Sequence, residues 1–326
     1  MTEAQPTVVA GTHWPAQNPV RPRLAILLGT FQGESFLAQQ LDSIKAQTFT
    51  DWALYASDDH SSDRTVAILE SYRQAWEHDR LSIRHGPARG FRANFLSLAC
   101  DSTIRADYFA FADQDDLWDR DKLDVALRWL EAIPANTPAL YCARTRLIDE
   151  YDRPIGYSPL FPKPFVFRNA LAQSGGGGNT MVFNAAARAL LIEAGPDVVV
   201  QTHDWWTYIL VSGCGGQVYY DAMPKVGYRQ HGKNLVGSNA SWIGRLRRMR
   251  RILIGQFKTM NDRNVAALQR MRHRLSPPSL KILDEFTRAR NQSLLPRICG
   301  IKRSGIYCQT LVSNLALMGA LLLKKL

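Results

Sequence analysis

The chain has 326 residues, 46% of them apolar, with a net charge of +11 and one low-complexity tract, four glycines at 175–178. That length is ample for a buried core in one large or two small domains, and no internal repeat marks a solenoid or propeller. Five dispersed cysteines without CxxC or zinc spacing argue against a disulfide framework and for a reducing compartment. Residues 1–22 lack a basic stretch followed by an apolar one, so they read as a flexible leader and not as a signal peptide. The charge is uneven: residues 241–326 hold 18 Lys/Arg against three acids, whereas 1–240 hold 22 against 26. A mildly acidic body therefore carries a strongly basic C-terminal region, suited to phosphates of nucleic acid or anionic lipid.

In chain order, RLAILLGT at 23–30 predicts a buried strand, and 36–46 a helix. A second strand over 52–57 ends at Asp58-Asp59, and Ser62 or Asp63 caps a helix to about 74. A short third strand (81–85), a helix (91–100), a fourth strand (108–112) and a helix (120–132) follow. Strands alternating with helices predict βαβ units and a parallel sheet, an α/β fold. Thr30, Asp58, Asp59, Asp113 and Asp115 all fall at strand ends, where open α/β sheets bind ligands. Beyond 134 the rhythm loosens. Strands are expected at 139–144, 179–183 and 217–220, helices at 185–193 and from His203, and an irregular segment at 151–167. From Trp242 onward the chain reads as mainly helical.

Four stretches carry chemistry. FADQDDLW at 111–118 sets three carboxylates after an apolar run, a repulsive cluster unless a cation sits there. A hard divalent cation takes one or two such carboxylates plus substrate phosphates. Asp116 and Asp119 are read instead as acids at a helix N-terminus. In SDDHSSDRT, Asp58 and Asp59 can accept hydrogen bonds from a base or ribose, while Asp63 suits a local turn. THDWW at 202–206 offers either a general base or a helix cap beside core tryptophans. YRQHGKNLVG at 228–237 supplies Arg229, His231 and Lys233 for a diphosphate, or forms a polar loop. The glycine run either lets backbone approach a ligand closely or is a flexible loop. No GxGxxG follows the first strand, and GxxxxGK[ST] and GxSxG are absent.

The order and spacing of TFQGE at 30–34, DDHSSD at 58–63 and DQDD at 113–116 resemble the family 2 glycosyltransferases. FADQDDLW, HDWW and YRQHGKNLVG together look like the rhamnosyltransferase-like branch that builds bacterial surface polysaccharides. The resemblance implies a GT-A fold over about 23–240 with a helical, basic, membrane-associating extension at 241–326. It implies that Thr30, Gln32 and Glu34 line a nucleotide pocket, that Asp58 or Asp59 binds the base, and that Asp113 and Asp115 form a DxD-type pair. Asp204 takes the place of the catalytic base, with His203 where the family often has Glu, and His231 can contact Mg²⁺ or Mn²⁺ or the diphosphate. Arg229 is expected on the diphosphate. The implied reaction is inverting transfer, with dTDP-rhamnose as the first choice of donor and a UDP-hexose as the alternative. The acceptor is a glycan or polyprenyl-linked glycan.

SWIGRLRRMRRILIGQFK at 241–258 suits an amphipathic helix on an anionic membrane, or one packed on the body with a solvated basic side. The apolar stretch 306–323 sits at the short limit for a spanning helix and is expected to lie at an interface or in the core. These features predict a cytoplasmic protein, peripheral on the inner membrane face. Two competing readings are weaker. A nucleic-acid-binding protein would need a reading module, and none is found, so no nucleic-acid partner is expected. A silent nucleotide-sugar-binding module would have lost Asp113, Asp115 or Asp204, which are present.

Overall fold

In a computed structural model, residues 23–77, 79–232 and 256–326 are described. The leader expected at 1–22 and most of the predicted amphipathic helix at 241–258 lie outside them. The first half alternates strand and helix: β1 Leu24–Thr30, α1 Leu37–Lys45, β2 Trp52–Asp58, α2 Thr65–Ala75, β3 Leu81–His85, α3 Phe91–Cys100 and β4 Tyr108–Asp113. Then come β5 Leu117–Trp118, α4 Lys122–Leu130, β6 Ala139–Ala143, β7 Arg146–Ile148, β8 Pro154–Tyr157 and α5 Phe167–Ala170. The remainder is β9 Val182–Asn184, α6 Ala185–Ala194, α7 His203–Gly213, β10 Gln217–Asp221 and β11 Val226–Arg229. It is followed by helices α8 Gln256–Arg270, α9 Pro277–Asn291, α10 Leu294–Ser304 and α11 Leu311–Leu322.

Seven strands form one sheet in the order β10-β6-β9-β4-β1-β2-β3. All its pairs are parallel except those of β9, which runs antiparallel to β4 and β6. The period-2 alternation of β1 explains its double burial: Leu24, Ile26 and Leu28 enter one core layer, Ala25 and Leu27 the other. Helices α1, α2 and α4 cover the first layer and α3, α6 and α7 the second. A second sheet, β5-β11-β7-β8, is built from segments that follow β4, β6 and β10 in the chain. Its hairpin strand β8 falls in the segment read as irregular; four residues with Pro154 and Gly156 carry too little apolar alternation to signal a strand.

The C-terminal helices are no detached appendage. Leu268 of α8, Leu283 and Phe286 of α9, Ile301 of α10 and Leu317 and Leu321 of α11 belong to the second core layer. Hydrogen bonds tie them on: Gln201 N to Asn264 Oδ1 (3.0 Å) and Asn169 Nδ2 to the Tyr307 carbonyl (3.0 Å). The stretch 306–323 thus buries one side of α11 in the core. Among the described residues no helix is long and apolar enough to cross a membrane.

Candidate active site

Register places the polar strand ends together. Thr30 pairs with Asp58 and Gly29 with Asp113, so β1, β2 and β4 end side by side. Above them opens a cavity of about 650 Å³, within the size range of small-ligand sites. Thr30, Gln32, Asp59, Asp113, Asp115, Asp204 and His231 all line it. Segments separated by nearly the length of the body thus meet at one edge of the sheet, as the strand-end rule predicts.

Adjacent Asp58 and Asp59 divide the work. Asp59 lines the cavity, its two oxygens accepting from Ala88 N (2.7 Å) and Gly90 N (2.8 Å). Asp58 lies behind the wall and accepts from Thr30 Oγ1 (2.9 Å), Ser61 N (2.8 Å) and Ser61 Oγ (2.6 Å). Its carboxylate is spent on shaping the loops. Gln32 follows with a left-handed backbone, φ 51°, its N–H donating to Ser61 Oγ. Glu34 is exposed, away from the cavity, and accepts from Arg64 N (3.2 Å). Asp63 makes the local turn expected of it, accepting from Thr65 N (3.0 Å).

The acidic cluster separates into three roles. Asp113 reaches the cavity floor, where burial first and the carboxylates of Asp115 and Asp204 next push its pKa up to about 7; Lys122 opposes them. Asp115 Oδ2 lies 2.9 Å from His231 Nε2. Asp116 corrects the expectation of a helix-terminal acid: β5 intervenes before α4. Asp116 is buried, accepting from Asn179 Nδ2 (2.6 Å) and Arg229 N (3.3 Å), and burial raises its pKa well above the usual range. Asp119 instead pairs with Arg146 at 2.8 Å. A basic side chain buried beside this cluster is Lys122, read only as part of a helix. It is 1% exposed, its Nζ donates to the Asn179 carbonyl (3.0 Å) and sits 3.1 Å from the Trp118 ring centroid. Burial lowers its pKa, and Asp116 and Asp113 hold it up. A buried lysine was not legible because α4 also presents Leu123, Ala126 and Leu127 on its core side, and helical spacing alone assigns Lys122 no depth.

Arg229 departs from its expected place on a diphosphate. Its guanidinium is fully buried and donates to the Asp115 carbonyl (2.9 Å), to Gln39 Oε1 (2.8 Å) and to Asp152. It also stacks 4.5 Å from the Phe36 ring. These contacts fix the backbone that carries Asp115, so Arg229 acts as a positioning residue. Gln114 is a second such residue that the sequence did not reveal. Its amide clasps Phe31 from both sides, Oε1 accepting from the N–H and Nε2 donating to the carbonyl, each at 2.8 Å.

Asp204 stands in the first turn of α7, where the helix dipole favours an anion, and accepts from Trp205 N (2.7 Å). Beside it, His203 is 4% exposed and stacks on Phe95 (centroids 4.1 Å, 18°), with the Phe111 edge at 4.7 Å. Neither of its ring nitrogens has a hydrogen-bond partner among the described residues, and burial lowers its pKa to about 4. The imidazole is therefore neutral, and the carboxylate of Asp204 lines the cavity beside it. The glycine run makes this packing possible. A Cβ on Gly178 would stand 2.8 Å from His203 Nε2 and 3.2 Å from Asp204 Cβ, and Gly176 takes φ +75°. The run is both a close approach to neighbouring side chains and a cavity wall, since Gly176, Gly177 and Gly178 line it.

The residues present fit a divalent cation. A carboxylate oxygen and an imidazole nitrogen face each other at 2.9 Å on the cavity wall, a mixed O/N donor pair suited to such an ion. Among the described residues no group of three or more His, Cys, Asp or Glu is arranged to hold a metal. Two protein ligands leave the remaining positions to water and substrate oxygens, as such ions commonly require.

A mixed, mainly parallel sheet with ligand-binding strand ends is the architecture of the GT-A fold, and solved structures share that fold. The mannosyltransferase PcManGT from Pyrobaculum calidifontis, solved with GDP-Man and Mn²⁺, matches at TM-score 0.51 and 18% identity. The alignment covers 94% of this chain and 86% of that one. S. aureus TarS 1-349, solved with UDP, matches at TM-score 0.51 and 12% identity, over 86% and 89% of the two chains. Residues 25–192 match the model of "Glycosyl transferase family 2", and the chain belongs to that family. Among relatives, the dTDP-rhamnosyl transferase RfbG of Shigella flexneri is 28% identical over 241 residues, 68% of this chain and 78% of that protein. A Campylobacter jejuni enzyme, GalNAc(5)-diNAcBac-PP-undecaprenol beta-1,3-glucosyltransferase, is 29% identical over 29% of this chain and 30% of its own. The chain is thus a glycosyltransferase.

Proposed function

We propose that this enzyme transfers L-rhamnose from dTDP-rhamnose, with inversion, to a glycan or polyprenyl-linked glycan in bacterial surface polysaccharide synthesis. The observation that carries the reaction class is one cavity bringing Asp204 together with Asp113, Asp115 and His231. The likeness to a dTDP-rhamnosyl transferase over 68% of the chain favours the donor. A UDP-hexose is the second reading, favoured by the fold shared with TarS, solved with UDP.

In this reading Thr30, Gln32 and Asp59 hold the nucleoside and Asp113 the ribose. Asp115 and His231 would hold Mg²⁺ or Mn²⁺, which when bound neutralises charge on the diphosphate and makes it a better leaving group. Asp204 takes the proton from an acceptor hydroxyl as that oxygen bonds to the anomeric carbon. The bond from that carbon to the diphosphate oxygen breaks, and the nucleoside diphosphate departs with the electron pair. A β-linked donor then gives an α-rhamnoside. The basic C-terminal region keeps the enzyme on the inner face of the cytoplasmic membrane, where a lipid-linked acceptor resides. The test is nucleotide release from dTDP-rhamnose and from UDP- and GDP-sugars, with Mg²⁺ or Mn²⁺ and with EDTA, in the presence of a lipid-linked acceptor. Metal-dependent turnover of dTDP-rhamnose supports the full reading. Turnover of a UDP-sugar alone replaces the donor, and turnover undiminished by EDTA refutes the metal.

A further inference from the structure

Helix α11 is apolar on two opposite sides. Leu317, Ala320 and Leu321 are buried in the core. On the other side Leu311 is 75% and Leu315 64% exposed, and Met318 and Leu322 continue the row in the open. Positions 311, 315, 318 and 322 recur at helical spacing and so form one stripe. No charged residue occurs between Arg303 and Lys324. A second exposed apolar group, Ile155, Tyr157 and Leu160, belongs to the segment beside the start of this helix. Lys163 Nζ donates to the Cys308 carbonyl (3.0 Å), and Tyr307 Oη to the Pro164 carbonyl (2.6 Å), joining the two. The same segments line the catalytic cavity, through Ser158, Pro159 and Phe161 on one side and Thr310 and Ser313 on the other. Exposed apolar surface and cavity mouth are therefore carried by the same two pieces of chain.

We propose that this rim docks the cavity mouth onto an anionic lipid bilayer, so that the acceptor reaches Asp204 while its own lipid stays in the membrane. This deepens the function proposed above and rests on it. Charge selects the occupant. In the chain Lys302 and Arg303 of α10 precede the stripe and Lys324 follows it, all three exposed, with Arg303 paired to Glu285 at 2.9 Å, within a region of 18 basic and three acidic residues. Basic residues flanking an apolar helix side suit insertion at the headgroup boundary of anionic lipid. Twelve residues of helix span only about 18 Å against an apolar core of about 30 Å, so α11 lies in the interface and does not cross it. A second copy on this rim would bring two basic regions together and obstruct both cavity mouths.

The test uses the full chain and vesicles of phosphatidylcholine with or without phosphatidylglycerol, read by co-sedimentation. The variant is Leu315→Glu with Met318→Glu, both on the exposed side and outside the cavity. Wild type is expected to bind the anionic vesicles, and the double variant to lose about tenfold or more in partitioning. Circular dichroism verifies its fold, and Leu311→Ser with Leu315→Ser replaces it if folding fails. Unchanged partitioning of a folded variant overturns the proposal, because the basic charge alone would then hold the membrane. A wild-type dimer by light scattering that the variant converts to monomer also overturns it, assigning the rim to a second copy. Calorimetric titration of dTDP or UDP with Mn²⁺ reads the cavity separately. Its failure counts against the transferase reading, and failure of vesicle binding alone counts against the docking.

Discussion

Replacing His203 by phenylalanine isolates the consequence of burying an imidazole with no partner. Burial lowers the His203 pKa from 6.5 to about 4. The unfolded chain therefore binds a proton that the folded one refuses between those values, and stability falls as pH drops through that window. Above pH 6.5 the effect is absent; at pH 4.5 it amounts to roughly 2 kcal/mol or slightly more, at about 1.4 kcal/mol per pKa unit. Asp113, with its pKa raised to about 7, acts in the opposite sense. The unfolded chain loses that proton first, so its contribution favours the folded state more as pH falls. Asp113 is present in both proteins, so the difference between them cancels it. A phenyl ring keeps the stack on Phe95 and removes two unsatisfied nitrogens. Urea denaturation of metal-free protein from pH 7.5 to 4.5 is the assay. Wild type is expected to lose about 2 kcal/mol more than His203→Phe over that range. Equal pH slopes in the two proteins would refute the reasoning, since His203 would then be protonated in the fold or already solvated.

Asp204→Asn should lower kcat about 10²- to 10⁴-fold while leaving dTDP affinity nearly unchanged, measured by turnover and calorimetry. Asp115→Ala should weaken Mn²⁺-dependent nucleotide binding by titration, and His231→Ala should do the same; metal dependence intact in both would place the ion elsewhere. Gly178→Ala puts a methyl 2.8 Å from His203 Nε2 and 3.2 Å from Asp204 Cβ. Overpacking of that kind costs about 1–3 kcal/mol in a urea titration, with a larger loss in kcat than in nucleotide affinity. Arg229→Met leaves neutral acceptors, among them the Asp115 carbonyl and Gln39 Oε1, without their donor and should cost about 1–3 kcal/mol. Unchanged stability would remove Arg229 from its positioning role.

Much of the scaffold was readable in one dimension. The apolar runs of β1, β2 and β4 declare buried strands because strands covered on both faces need no polar alternation. Helices between them fix the parallel direction, and the strand-end rule then brings Thr30, Asp59, Asp113 and Asp115 to one edge. What lay beyond reach was which polar group turns into the cavity and which turns into the wall. Asp58 and Asp59 are neighbours of the same type, yet one is bound by Thr30 and Ser61 and the other by Ala88 and Gly90. Arg229 has the chemistry of a phosphate ligand, but Gln39, 190 positions away, helps to draw it inside.

The sequence by itself determined the α/β class, the order of the acidic motifs and the charge division between body and C-terminal region, because these depend on local periodicity and composition. Tertiary structure alone decided that Lys122 is buried beside the acidic cluster, that His203 is a neutral neighbour of Asp204, and that α11 shows one apolar side to the core and another outward. Depth and pairing are properties of contacts between distant segments, and they set the dielectric and the hydrogen bonds that give each side chain its chemistry.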